Sequence, residues 1–217
     1  MRHVGAEAIA LLTELVGIDS INPTLVPGAV GEVAIVAYLR ARLRRSGFET
    51  TVVTAPDQPG RPSLIAVPPG PPRGETIVLN CHLDTVGVAG MAAPFCARVE
   101  GDRLYARGAA DMKGGIASLV VAAEHAVACG APVHPVLALV ADEEDTNLGS
   151  EVVTSALDRS GIRPDVALIA EPTDLALCRS LRGFAVVEVV FAGRAAHSSQ
   201  PEQGLNAVTH LGRLLSA

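Results

Sequence analysis

No apolar run in this chain approaches the roughly 20 residues that a membrane-spanning helix requires, which argues against a helical membrane protein. The N-terminal stretch is interrupted by Glu7 and Glu14, so it reads as an amphipathic helix and not as a signal peptide. No Cys-x-x-Cys pair occurs. The four cysteines, Cys81, Cys96, Cys129 and Cys178, are scattered, a pattern that fits reduced thiols in a cytoplasmic protein better than a disulfide framework. Lysine is nearly absent, with Lys113 alone against sixteen arginines; the bias reads as a coding preference. No basic cluster offsets the net charge of −6, which argues against a nucleic-acid partner. Arg40, Arg42, Arg44 and Arg45 fall on a helical pattern and read as a solvated face. Internal repeats and low-complexity linkers are also missing.

What is present is a chain of 217 residues, 49% apolar and 18% charged, long enough to bury a real core. Helical periodicity covers 5–17 and 29–46, the second run closed by Gly47. Between them lies a loop over 18–27. Residues 48–53 and 63–67 read as strands around a Pro/Gly-rich turn, and 97–105 as a hairpin around Gly101-Asp102. The short apolar runs 76–80, 135–140 and 166–170 read as strands of a mostly parallel sheet. They alternate with helices over 114–128 and 149–159. This is the signature of an α/β domain, in which ligands gather beyond the carboxyl ends of the strands. After Arg179 the texture changes to a β-rich run over 184–191, a loop over 193–204 and a helix over 205–215. The division expected is an α/β part over 1–179 and the beginning of a second, α+β domain over 180–217.

Acidic residues and one histidine follow the apolar runs. Cys81-His82-Leu83-Asp84 closes the first, Asp142-Glu143-Glu144-Asp145 the second and Glu171-Pro172 the third; Asp111-Met112-Lys113-Gly114-Gly115 precedes the 114–128 helix. One imidazole with several carboxylates is a ligand set for a divalent metal, with carboxylates left over for acid–base chemistry. Each motif alone has an ordinary reading. His82 could be a hydrogen-bonded strand-end histidine, Asp111 a helix N-cap, the acidic run a solvated turn, and Glu171 a salt-bridge partner. In an extended segment His82 and Asp84 project to one side, so Asp84 could orient the imidazole, and Cys81 should then face the core. His3, His125, His134 and His210 lack an acidic partner motif and read as ordinary surface or core residues.

Taken in order, the motifs resemble the zinc-dependent superfamily of aminoacylases, acetylornithine deacetylases, succinyl-diaminopimelate desuccinylases and carboxypeptidases. The match runs through Ser20-Ile21-Asn22-Pro23, His82-x-Asp84, Arg107 to Gly115, Asp142-Glu143-Glu144, Glu171-Pro172-Thr173, Gly193 to Ser199, and Gly204 to Ala207. The resemblance implies an amide hydrolase acting on an N-acyl amino acid or short peptide, of deacetylase or desuccinylase type; a carboxypeptidase or aminoacylase is the alternative. It implies two Zn2+ per complete enzyme, with Co2+ or Mn2+ as substitutes. His82 and Glu171 would bind one ion, Asp111 would bridge both before a cis peptide bond, and Glu144 would bind the other. Glu143 would be the general base and Asp84 would orient His82. His197 would steady the oxyanion in a partner subunit's site, which implies a homodimer through the second (lid) domain. A substrate carboxylate would need an arginine, for which Arg182 and Arg194 are candidates, although both also read as surface residues. Family members continue well past this length and supply a further histidine ligand near their C-terminus, whereas no histidine follows His210. The expectation is therefore a weakly active or inactive, poorly soluble 217-residue form, with an unpaired strand edge; a metal-binding fragment without turnover is the non-enzymatic reading.

Overall fold

The computed structural model describes residues 2–180, 183 and 185–216. The chain divides into two compact units, Met1–Leu175 and Ala176–Ala217.

The first unit is built on a five-stranded sheet. Its strands are β1 (Glu49–Ala55), β2 (Gln58–Val67), β3 (Glu75–His82), β6 (Val133–Val140) and β7 (Val166–Ile169), in the spatial order β1-β2-β6-β3-β7. The β6, β3 and β7 strands run parallel. The β1–β2 hairpin joins them antiparallel through β2 and β6. A separate small hairpin pairs β4 (Arg98–Glu100) with β5 (Arg103–Tyr105) around Gly101, whose φ of 62° requires a residue free of Cβ crowding.

Helices cover both faces. Against one face lie α1 (Arg2–Val16), α2 (Val33–Arg45) and α3 (Gly114–Ala128); against the other lies α4 (Leu148–Arg159). The period-2 alternation of strands sorts the side chains. Leu137 and Leu139 of β6 join Leu11, Leu39 and Val120, while Val136, Ala138 and Val140 join Val153, Ala156 and Leu157. Every residue of β6 from His134 to Val140 is buried, which is why the run reads as continuous apolar sequence. Cys81 lies wholly in the three-helix core, as its strand position requires, and burial pushes its thiol up to about 12.

Two sequence expectations are corrected. The Pro/Gly-rich turn between the first two strands is shorter than expected, confined to Pro56-Asp57: Ala55 pairs with Gln58, and β2 continues through Pro59, Gly60 and Pro62. Only Leu64 to Ala66 of β2 pair with β6, so among the described residues no second neighbour along 58–62 demands the N–H groups that proline lacks. The β-rich run also differs. Residues 181, 182 and 184 lie outside the described residues, and 185–191 form no strand. Val186, Val187 and Val190 are at least 75% exposed. Among the described residues no partner ladder pairs with them, and β-propensity without a partner makes no strand. The β7 strand is apolar but exposed along its length, because it is the sheet's edge.

In the second unit, Arg194 and Leu205 exchange backbone hydrogen bonds of 3.0 and 2.9 Å. Helix α5 (Ala207–Leu215) begins at Asn206, whose Oδ1 accepts from the N–H groups of Val208 and Thr209 at 2.9 and 3.3 Å. Among the described residues no helix is long and apolar enough to cross a membrane.

Candidate metal centre

Parallel strands place their carboxyl ends along one edge of the sheet. His82 is the last residue of β3 and pairs in register with Val140 at the end of β6; Asn80 pairs with Ile169 at the end of β7. The residues just past these ends, Asp142 to Glu144 and Glu171, therefore arrive beside His82. Asp111 comes from the turn that leads into α3, where a cis peptide bond joins it to Met112.

The glycine pair after Asp111 serves close approach. A Cβ on Gly114 would stand 2.6 Å from the Ala109 carbonyl oxygen, and one on Gly115 would stand 2.6 Å from that of Ala170. The second contact sets the start of α3 directly against the residue preceding Glu171.

Ligand atoms of His82, Asp111 and Glu144 lie within 4.8 Å of one another, and so do those of His82, Glu143 and Glu171. His82 Nε2 stands 2.8 Å from Asp111 Oδ1 and 3.9 Å from Glu171 Oε1. The other ring nitrogen, Nδ1, is 3.0 Å from the Asp84 carbonyl oxygen and 3.6 Å from its carboxylate. The imidazole is thus steered chiefly by the Asp84 main chain. The Asp84 carboxylate, 1% exposed, holds the acidic turn. Its Oδ1 accepts the Glu143 N–H at 3.1 Å, and its Oδ2 accepts the Glu144 N–H at 3.2 Å and the Asn22 side-chain amide at 2.8 Å.

The electrostatics are those of carboxylates crowded around one imidazole. Burial works against a charged His82, but the Asp84 and Asp111 carboxylates, aided by Glu171, outweigh it and hold the ring's pKa up at about 10. Burial, then the neighbouring Asp111, push Glu144 up; burial, reinforced by Glu143, Asp111 and Asp84, does the same to Glu171. Asp84 is also penalised by burial, but its contacts with His82, Asn22 and the Glu143 N–H carry it below the usual carboxylate range. A divalent cation is the natural relief for such a set, and one imidazole with carboxylate oxygens matches the donor preference of Zn2+. The residues present fit a metal.

Several supporting residues were not evident in the sequence. Glu32 and Arg61 form a buried pair behind the turn, with Arg61 Nη2 at 2.6 Å from Glu32 Oε1 and 3.0 Å from Asp142 Oδ1. Lys113, 1% exposed, donates to the Ile18 carbonyl at 2.7 Å, and burial holds its pKa down to about 8. Arg61 sits among Pro59, Gly60 and Pro62, in the stretch whose composition reads as a turn, so nothing local marked it as a site residue. His197 belongs to the second unit, where its Nδ1 is 2.8 Å from Ser199 Oγ. Arg194 spends its Nε on the Gln203 carbonyl at 2.8 Å. Arg182 lies outside the described residues.

A family profile described as peptidase family M20/M25/M40 matches residues 78–207. The chain is 34% identical over 213 residues to an acetylornithine deacetylase of Myxococcus xanthus, covering 95% of this chain and 52% of that protein. It is 31% identical over 220 residues to a succinyl-diaminopimelate desuccinylase of Dinoroseobacter shibae, covering 96% and 55%. It thus spans about half the length of the curated relatives it matches. Among solved structures, a tripeptidase from Staphylococcus aureus superposes with a TM-score of 0.68 at 19% identity, over 97% of this chain and 56% of that one. An M20 family metallo-carboxypeptidase from Sulfolobus solfataricus superposes at 0.62 and 23% identity, over 76% and 37%. The shared fold is that of metallopeptidase catalytic domains.

Proposed function

Because this chain belongs to peptidase family M20/M25/M40, we propose that it carries the metal-binding part of a zinc-dependent hydrolase that cleaves the amide bond of an N-acyl amino acid. The observation that carries the reading is the convergence of His82, Asp111, Glu143, Glu144 and Glu171 at one edge of the sheet. Relatives named acetylornithine deacetylase and succinyl-diaminopimelate desuccinylase favour an acetylated or succinylated amino acid as the substrate class.

In this reading His82, Asp111, Glu144 and Glu171 hold the metal, Zn2+ by donor type, with Co2+ or Mn2+ as replacements. Bound there, the metal would lower the pKa of the attacking water and polarise the scissile carbonyl. Glu143 has a main chain fixed by Asp84 and a half-buried side chain at the cluster. We assign it the role of taking the water's proton on its carboxylate and returning it to the departing nitrogen. Asp84 holds the His82 imidazole through its carbonyl and the Glu143–Glu144 turn through its carboxylate. We assign His197 to the oxyanion side of the reaction across a homodimer, a role that rests on the family resemblance.

The test is hydrolysis of N-acetylornithine, N-succinyl-diaminopimelate and unblocked dipeptides by Zn2+-loaded protein, by chelator-stripped protein and by Glu143→Gln. The reading expects metal-dependent amide cleavage, strongest on one of the N-acyl substrates and lost in the variant. Undiminished cleavage by Glu143→Gln, or by metal-stripped protein, would overturn it.

A further inference from the structure

Behind the ligand cluster lies a continuous buried ladder of charged and polar side chains that reaches it through Asp84. It starts at Arg61, 6% exposed, whose guanidinium grips Glu32 with two nitrogens: Nε at 2.8 Å from Oε2 and Nη2 at 2.6 Å from Oε1. The same Nη2 reaches Asp142 Oδ1 at 3.0 Å. Glu32 Oε1 also accepts the Asp142 N–H at 3.3 Å. From Asp142 the ladder passes to Asn22, whose side-chain nitrogen donates both to Asp142 Oδ1 at 3.0 Å and to Asp84 Oδ2 at 2.8 Å. Asp84 then receives the N–H groups of Glu143 and Glu144.

The ladder surrounds a strained piece of backbone. Asp142 has a φ of 61°, in the left-handed region that residues other than glycine seldom enter. That conformation turns the chain out of β6 and aims the next two residues, Glu143 and Glu144, at His82. Such a turn persists only where its surroundings over-determine it. Here the Asp142 N–H, carbonyl and carboxylate are all occupied, by Glu32, by the Asn147 N–H at 2.7 Å, and by Arg61, Asn22 and the Thr146 hydroxyl respectively. Three buried carboxylates, Glu32, Asp142 and Asp84, share one buried guanidinium and one amide. Removing Arg61 would leave Glu32 buried without its cation, and removing Asn22 would break the one side-chain link between Asp142 and Asp84.

We propose that Arg61, Glu32 and Asn22 are positioning residues of the centre: they hold the Asp142 turn, and through it they set Glu143 and Glu144 against His82. The proposal rests on the reading of that cluster as a metal centre. Geometry, and not charge alone, is the requirement. A planar guanidinium can span both Glu32 oxygens and Asp142 at once, whereas a lysine ammonium, a single point donor centre, cannot.

The test compares the full chain with Arg61→Lys and Glu32→Gln by two readouts. Amide hydrogen exchange of metal-free protein follows the Glu143 and Glu144 N–H groups. Titration with Co2+ follows affinity and the visible absorption of the bound ion. Leu139→Ala, which removes buried apolar contacts of β6 and none of the ladder's hydrogen bonds, serves as a stability control. We expect Arg61→Lys to lose protection at these two amides by about tenfold or more while β3 and β6 keep theirs. Co2+ affinity should fall by roughly 10- to 100-fold with a changed spectrum, and Leu139→Ala should leave both features in place. Unchanged exchange at Glu143 and Glu144 in both variants, or loss spread evenly over the sheet as in a merely destabilised protein, would overturn the proposal. Should Arg61→Lys fail to fold, Asn22→Ala cuts the ladder at its other end and is read the same way. A parent chain that binds no Co2+ would sink the metal reading, and the exchange result would still decide the positioning role.

Discussion

Adding one methyl group at Gly115 sets two effects of opposite sign against each other. Gly115 lies in the first turn of α3, and alanine there should favour the helix by up to about 1 kcal/mol. Its Cβ, however, would meet the Ala170 carbonyl oxygen at 2.6 Å, the Ala170 Cβ at 2.9 Å and the Met112 Cε at 3.3 Å. Carbon–oxygen contacts settle no closer than about 3.3 Å, so Ala170 must retreat by about 0.7 Å. The retreat is directed. Met112 is fully buried, whereas Ala170 follows a strand that, among the described residues, pairs with β3 alone, and the Ala170 N–H holds the Asn80 carbonyl at a long 3.3 Å. The movement therefore goes into the β7 end and carries Glu171 away from His82. Overpacking of this kind costs about 1–3 kcal/mol, which outweighs the helix gain, and a displacement approaching 1 Å can cost about 100-fold in a positioned site. Gly115→Ala should unfold at lower denaturant than the parent, and its Zn2+ affinity in a chelator-competition assay should fall by at least about tenfold. A variant stabilised by about 1 kcal/mol with unchanged metal affinity would mean that helix propensity prevails, and would refute the close-approach argument.

Metal binding should strengthen with pH. Metal-free His82 holds its proton up to about 10, and a ligand imidazole must be neutral, so each ion taken up near neutrality should release about one proton. Calorimetry in buffers of different ionisation enthalpy counts that proton, and zero release would contradict the ligand role of His82. In the metal-free protein the same raised pKa stabilises the fold fully below the unfolded histidine value of about 6.5, and that contribution is lost as pH rises through about 10; denaturant midpoints across this range, compared with His82→Ala, test the sign. Glu143→Gln should retain metal while hydrolysis falls by about 100- to 10,000-fold, as read by parallel metal analysis and turnover. Leu139→Ala, at a fully buried site of β6, should cost about 2–5 kcal/mol by denaturant unfolding; a cost below about 1 kcal/mol would place that core elsewhere.

Where the sequence was legible, each signal was local. The runs 76–80, 135–140 and 166–170 are short, apolar and each followed by a potential ligand, so both the parallel strands and the shared edge could be read. A glycine pair such as Gly114-Gly115 fits a turn or a close approach equally well in sequence, and only the neighbouring Ala109 and Ala170 carbonyls decide for close approach. Arg61 and Glu32 were invisible as site residues because their meaning lies in partners distant along the chain. The passage of β2 through Pro59 and Pro62 was hidden for a related reason: proline breaks a strand only where a neighbour needs its N–H, and that neighbour is a property of the sheet. The described part of the β-rich run, 185–191, failed in the opposite direction, since its propensity was strong but no described partner strand pairs with it.

The central claim is that His82 anchors a divalent-metal centre with Asp111, Glu144 and Glu171. It is tested most directly by Zn2+ content, measured by elemental analysis after dialysis against low free metal, for the parent chain and for His82→Ala. The account predicts at least one equivalent per chain in the parent and a loss of that metal in the variant with the fold retained by circular dichroism. Equal zinc in both proteins, or none in a folded parent, would contradict it.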